Sequence, residues 1–355
     1  MKLKSLVILY DYTFHSDLIL VIQAENKSHI SEDICFFATV DNHPWSYLFD
    51  CGKARYLGAG DCKSLRAIFI THTHIDHFCN FDTLLRHHVG MRRIVTICGP
   101  KGIAQNVQAK GRCYTWNLIK RYRPIYEVRE IDQGKAKVYE LGPPHWDLIE
   151  KKSYTLENQV CFEEQGIQVR CAELNHKITS MAYALEEKSN LNISEFPYKP
   201  GPWIKQLKEA YQNNAPDTSI KIDEETTLQA SELFKYLYIK AGWKLGYAMD
   251  HLACEANHKL LETIFTDANE VVIEGFFREC DRDFALKHFH STAYESGKLA
   301  KRVNAEKLTL VHHSRRYQRE LKDLREEAYA VFEGREPVFE DTPVARYLGQ
   351  ENDHD

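Results

Sequence analysis

No C-x-x-C pair occurs among the ten cysteines of this 355-residue chain, which lie at 35, 51, 62, 79, 98, 113, 161, 171, 254 and 280. The chain is also far longer than a disulfide-stapled secreted scaffold, so the thiols read as reduced and the compartment as cytoplasmic. Nowhere is there a run near the roughly 20 apolar residues of a membrane-spanning helix. The opening MKLKSLVILYDYTF has two lysines and a short apolar run, but Asp11 interrupts it and no small-residue cleavage site follows. No signal peptide is therefore expected. A large charge of one sign is missing too: 46 Lys and Arg against 51 Asp and Glu leave −5. That argues against non-specific coating of nucleic acid, although a local basic patch still permits RNA binding. Internal repeats and low-complexity segments are absent as well.

What remains is an ordinary globular composition, 43% hydrophobic and 27% charged, with material for a sizeable core. Apolar runs of strand length recur, and several end in an acid or an imidazole. SYLFD ends at Asp50, AIFITHTH at His72 and His74, IQVRCAELNH at His176, KLGYAMD at Asp250, VVIEG carries Glu274, and LTLVHH reaches His312. Strand ends are where a rigid sheet holds side chains that open space still reaches. Helical patterns alternate with these strands, as in CNFDTLLRHHVG and in TAYESGKLAKRV, where Thr292 and Glu295 have the spacing of a capping box. The class is α/β or α+β, with sheets covered by helices.

The densest chemistry is HTHIDH at 72–77. In an extended segment alternate residues face the same way, so His72 and His74 present two imidazoles to one ion, and the following turn brings Asp76 and His77 to a second position. Nitrogen with carboxylate oxygen suits zinc, with manganese or iron as alternatives. His176, Asp250 and His312 are the best further ligands, because each ends a strand-like run. A carboxylate such as Asp250 bridges two cations with its two oxygens, and water held between them becomes hydroxide near neutral pH, a nucleophile for a phosphoryl or carbonyl centre.

The motifs DCG at 50–52, THTHIDHF at 71–78, CGPKGI at 98–103, NHKITSMAY at 175–183, YAMD at 247–250, VVIEGFF at 271–277, HFHSTAYESGKLAKRV at 288–303 and LTLVHHSRRYQ at 308–318 follow in one order. In that order the chain resembles the metallo-β-lactamase superfamily, and within it the ribonuclease Z branch, which removes 3′ trailers from precursor tRNA. The resemblance implies a single four-layer αββα sandwich over 1–345, with an excursion at about 185–235 and a disordered tail at 346–355. It implies two divalent metals, one at His72, His74 and His176, the other at Asp76, His77 and His312, with Asp250 shared. Asp50 becomes an anchor that orients a ligand, while Glu274 and His290, with Asp76, are the catalytic residues. The equivalent pair in the family relays a proton to the departing oxygen.

Two regions depart from the family. The opening lacks its glycine-rich turn, and in VVIEGFF, Ile273 and Gly275 stand where histidine and alanine are usual. KPGPWIKQLKE at 199–209 resembles the Gly-Pro motif of the tRNA-gripping arm, with Gly201 and Pro202 in place, but the stretch before it is short, implying a reduced arm. Gly201, Pro202, Ser314 and Arg316 are the expected substrate contacts. KGRCYTWNLIKRYRP, at 110–124, interleaves basic and aromatic residues, which suits either RNA contact or a solvated helix with its aromatics in the core. The expected activity is phosphodiester cleavage of precursor tRNA by a homodimer. Its alternatives are a hydrolase of small phosphodiesters, esters or thioesters, and a metal-stabilised RNA-binding module without catalysis.

Overall fold

A computed structural model of the protein describes residues 22–29, 33–41, 43–119, 123–164, 166–317 and 321–336. The tail expected to be disordered, Lys120, Arg121 and Tyr122 of the basic-aromatic segment, and most of the atypical N-terminal stretch lie outside these residues.

Eight strands form the first sheet in chain order: β1 (Ile22–Asn26), β2 (Phe36–Val40), β3 (Ser46–Phe49), β4 (Leu65–Phe69), β5 (Ile94–Pro100), β6 (Ile125–Asp132), β7 (Lys135–Leu141) and β8 (Ile149–Thr155). From β3 to β6 the pairing is parallel, with antiparallel strands on both flanks. A second sheet opens with the antiparallel β9 (Val160–Glu164), β10 (Ile167–His176) and β11 (Ile178–Glu187). The chain then leaves the sheet for β12 (Asn190–Ile193), β13 (Ser219–Lys221), β14 (Thr227–Gln229) and β15 (Leu237–Lys240). It returns as β16 (Lys244–Ala248), antiparallel to β11, and ends in the parallel β17 (Glu270–Glu274) and β18 (Lys307–Val311).

Period-two alternation sorts the strands' side chains into layers. Tyr47, Phe49 and Phe69 of the first sheet meet Phe162, Tyr183 and Tyr247 of the second in one shared core. Leu48 and Ile68 point the other way, under the helices Phe81–His88 and Ile103–Arg112. Val271 and Ile273 turn outward to the helices Glu255–Phe265, Ala293–Arg302 and Leu321–Glu333. The result is an αββα sandwich, as the motif order implies.

The excursion packs on a small core of its own, built from Trp203, Leu207, Ile220, Ala230 and Leu233. Its two ends meet at a tight stem: Glu187 donates its amide to the Trp243 carbonyl at 2.9 Å. Gly242 lies so close that a Cβ there would fall 1.8 Å from the Glu187 carbonyl oxygen. In the basic-aromatic segment, Lys110 pairs with Asp82 at 2.9 Å and Arg112 with Asp147 at 3.1 Å. Trp116 packs at a tilt against the buried Trp146 at 5.4 Å, whereas Tyr114 is exposed; both follow the end of the helix at Arg112, so neither the RNA-contact nor the solvated-helix reading fits the whole segment. No helix among the described residues is long and apolar enough to cross a membrane.

Candidate metal centre

The carboxyl ends of the parallel strands converge on one cleft, the usual place for a site in a sheet of this kind. Asp50 follows β3, Asp250 lies just beyond β16, and His312 follows β18; their φ angles are 55°, 38° and 53°. That left-handed region is costly for a residue with a Cβ, and it turns each side chain back over the end of its own strand. Past β4 the chain runs through His72 to His74, which is extended and caps the short helix Ile75–Phe78 carrying Asp76 and His77.

Two groups of side chains able to hold a metal ion result. One comprises His72, His74, His176 and Asp250, the other Asp76, His77 and His312, each with its donor atoms within 4.8 Å of one another. Asp250 faces both. Its Oδ2 lies 3.5 Å from Nε2 of His72 and 3.5 Å from Nε2 of His176, whereas its Oδ1 lies 3.6 Å from His77 Nε2 and 2.8 Å from His312 Nδ1. Asp76 Oδ2 approaches His312 Nε2 at 3.4 Å and His77 Nε2 at 3.6 Å.

These side chains fit divalent cations better than they fit one another. Nε2 of His72 and of His77 are buried without a hydrogen-bond partner, and Nδ1 of His312 and Oδ1 of Asp250, although 2.8 Å apart, are not aligned for a hydrogen bond. Orphaned buried polar atoms are costly. Ligands about 2.1 Å from a tetrahedral ion stand about 3.4 Å apart, close to most of the separations here. Three imidazoles are also fixed by the ring nitrogen that faces away. His72 Nδ1 meets Thr71 Oγ1 at 3.0 Å, His77 Nδ1 meets Asp50 Oδ2 at 2.9 Å, and His176 Nδ1 donates to the Phe289 carbonyl at 2.7 Å. Such partners choose the tautomer and leave Nε2 for a metal. Burial, helped by the neighbouring His77, pushes His72 down to about 2, so this imidazole is neutral and ready to ligate. Burial also works against charge on His312, but the Asp250 carboxylate outweighs it and lifts that imidazole to about 10.

A third group of donors, Asp250, Glu274, His290 and His312, overlaps these, yet the oxygens of Glu274 are already engaged. Oε1 accepts the backbone amides of His251 at 2.8 Å and Ser291 at 3.2 Å, while Oε2 meets His290 Nδ1 at 2.8 Å. Burial opposes charge on His290, but the Glu274 carboxylate prevails and raises its pKa. Sequence reasoning passed over His251, a fully buried imidazole whose Nδ1 lies 3.2 Å from Glu274 Oε1. Its only signal was its place directly after Asp250. Phe276 was missed also; it stacks flat on His290, with centroids 3.9 Å apart and planes 7° from parallel.

The expected substrate contacts separate. Ser314 lines the cavity beside Asp76 and His312. Arg316 is held by Asp281 at 3.4 Å and by the rings of Phe284 and Phe277 at 4.5 and 5.5 Å. Gly201 and Pro202 lie in the excursion, at the start of the helix Trp203–Gln212.

Comparison with known proteins supplies the relatives. Residues 47–180 match the beta-lactamase superfamily domain. The chain is 25% identical over 296 residues to ribonuclease Z of Deinococcus radiodurans, covering 80% of this chain and 87% of that protein. It is 27% identical over 304 residues to ribonuclease Z of Bacillus cereus, covering 82% and 86%. Among solved structures, the metallo-β-lactamase fold protein YhfI from Bacillus subtilis superposes with a TM-score of 0.52 at 14% identity, covering 90% of this chain and 98% of that one.

Proposed function

Because the chain has the metallo-β-lactamase fold and is ribonuclease Z-like in sequence, we propose that it is a divalent-metal-dependent phosphodiesterase that trims the 3′ ends of precursor tRNA. In this reading His72, His74 and His176 hold one cation, Asp76, His77 and His312 the other, and Asp250 both. The observation that carries it is the Asp250 carboxylate, whose Oδ2 faces His72 and His176 and whose Oδ1 faces His77 and His312. Mixed nitrogen and oxygen donors favour zinc, with manganese or iron as alternatives. Bound there, the cations would neutralise charge on the phosphoryl oxygens and lower the pKa of a water.

The chain's own residues do the rest. Asp50 keeps the His77 proton on Nδ1. Glu274 does the same for His290, and its carboxylate raises the His290 pKa, which favours the protonated form that gives a proton to the departing 3′ oxygen. An alkoxide is a poor leaving group unless it is protonated as it departs. The ten free cysteines support a cytoplasmic setting, and the family resemblance supports a homodimer.

The test is 3′-end mapping of a precursor tRNA incubated with zinc- or manganese-loaded protein, with Asp76→Ala as control. Cleavage after the discriminator base, lost in the variant, supports the reading. An intact precursor with metal bound refutes it and favours small phosphodiesters or esters as substrates.

A further inference from the structure

Beside Asp76 and His312 the centre opens into a cavity of about 500 Å³, a size typical of small-molecule pockets. Its remaining wall is unlike the ligand cluster, consisting of Ile75, Phe276, His313, Ser314 and Arg315, with Asp33 beside them. Ile75 sits between two residues of the ligand cluster and is 81% exposed. A single exposed isoleucine is ordinary; one that shares a cavity wall with an aromatic ring beside a metal centre calls for an occupant. Phe276 is half-buried, and its stacking on His290 fixes the plane of its ring. The Arg315 side chain is 77% exposed, with its guanidinium 3.6 Å from Asp33.

We propose that this cavity is a nucleobase subsite, in which Ile75 and Phe276 pack the base of a nucleotide flanking the scissile phosphate and Arg315 meets the adjoining phosphate. The inference rests on the phosphodiesterase reading and adds the side chains that hold the flanking nucleotide. An apolar wall closed by a cation, a hydroxyl and a carboxylate matches a planar base with polar edges. An acyl chain would bury those polar groups without partners. Base stacking on an aromatic side chain is sequence-tolerant, so the subsite grips the flanking nucleotide whatever its identity.

The test compares adenosine 5′-monophosphate with ribose 5-phosphate by isothermal titration of the metal-loaded protein. The two share a phosphate and differ in the base, so damage to the metals cancels in their ratio. The nucleotide should bind at least about fivefold more tightly, and the ratio should fall toward one in Phe276→Leu, which keeps apolar volume but removes the flat face, and in Ile75→Ser. Equal affinities in the wild type, an unchanged ratio in both variants, or no nucleotide binding at millimolar concentration overturns the subsite. Precursor tRNA cleavage together with equal affinity for the two ligands would sink the subsite alone. Tighter binding of the nucleotide than of ribose 5-phosphate, without cleavage of RNA, would sink the functional reading alone.

Discussion

Asp50→Asn exchanges a single atom deep in the protein, and the structure says what should follow. Asp50 is fully buried and its oxygens accept from the Thr71 amide at 2.7 Å, the Thr71 hydroxyl at 3.0 and 2.9 Å, His77 Nδ1 at 2.9 Å and the Tyr247 hydroxyl at 3.0 Å. An amide has one oxygen to offer. With that oxygen kept toward the Thr71 amide, the new NH₂ group faces His77 and Tyr247. The hydroxyl can rotate and become an acceptor, but the imidazole escapes a donor–donor clash only by moving its proton to Nε2. That atom lies 3.6 Å from both Asp76 and Asp250, where a protonated nitrogen cannot ligate. Turning the amide round places the clash on the Thr71 amide instead. Loss of a carboxylate that orients a ligand typically costs about 10- to 100-fold in metal affinity, or about 1.4 to 2.7 kcal/mol. The unsatisfied donor adds about 1 to 3 kcal/mol of lost stability. Chelator competition followed spectroscopically, with thermal melting alongside, reads both. Tyr247→Phe is the control, since it removes one donor and leaves the His77 tautomer alone; it should cost about 1 kcal/mol of stability and no metal affinity. A folded Asp50→Asn that binds metal within about twofold of wild type would refute the tautomer argument, as would equal weakening by Tyr247→Phe.

His290→Ala should lower kcat by about 10²- to 10⁴-fold while retaining bound metal, which elemental analysis checks. Glu274→Gln removes the carboxylate charge that holds the His290 pKa up, so activity should be lost at lower pH on the alkaline side of the profile; an unmoved alkaline limb would mean that the pair carries no catalytic proton. Replacing residues 189–241 with a short turn should shift the melting temperature by only a few degrees, because the excursion has its own core and its stem is already bonded. The shortened protein should still hydrolyse a small chromogenic diester but show a raised KM for precursor tRNA. His88, buried between the Tyr126 hydroxyl and the Cys62 carbonyl, is held down to about 4 by burial, despite its bond to that carbonyl. Its unfolded value is about 6.5, so the unfolded chain binds the extra proton first as pH falls. About 3 kcal/mol of stability should disappear between pH 6.5 and pH 4. Urea denaturation across that range should show the loss in the wild type and a flatter dependence in His88→Gln.

The parts of the cleft that were legible in the sequence are those that local spacing or strand patterning encodes. HTHIDH carries its geometry within six residues, because an extended segment and a helical turn have fixed periods. His176, Asp250 and His312 stood out because each ends an apolar run, and the sheet then brings those ends together. Pairings over long separations left no such trace. Nothing near Arg316 announces that Asp281 and Phe284 hold its guanidinium, and nothing in VVIEGFF announces that Phe276 lies flat on His290. The backbone at the strand ends was equally hidden. A left-handed corner is ordinarily read from glycine, yet Asp50, Asp250 and His312 all adopt one. Glycine would relieve the strain at each corner but would bring no ligand or anchoring carboxylate. Retaining a charged or imidazole side chain there puts chemistry ahead of local stability, and three such corners at one end of two facing sheets mark the cleft independently of any motif.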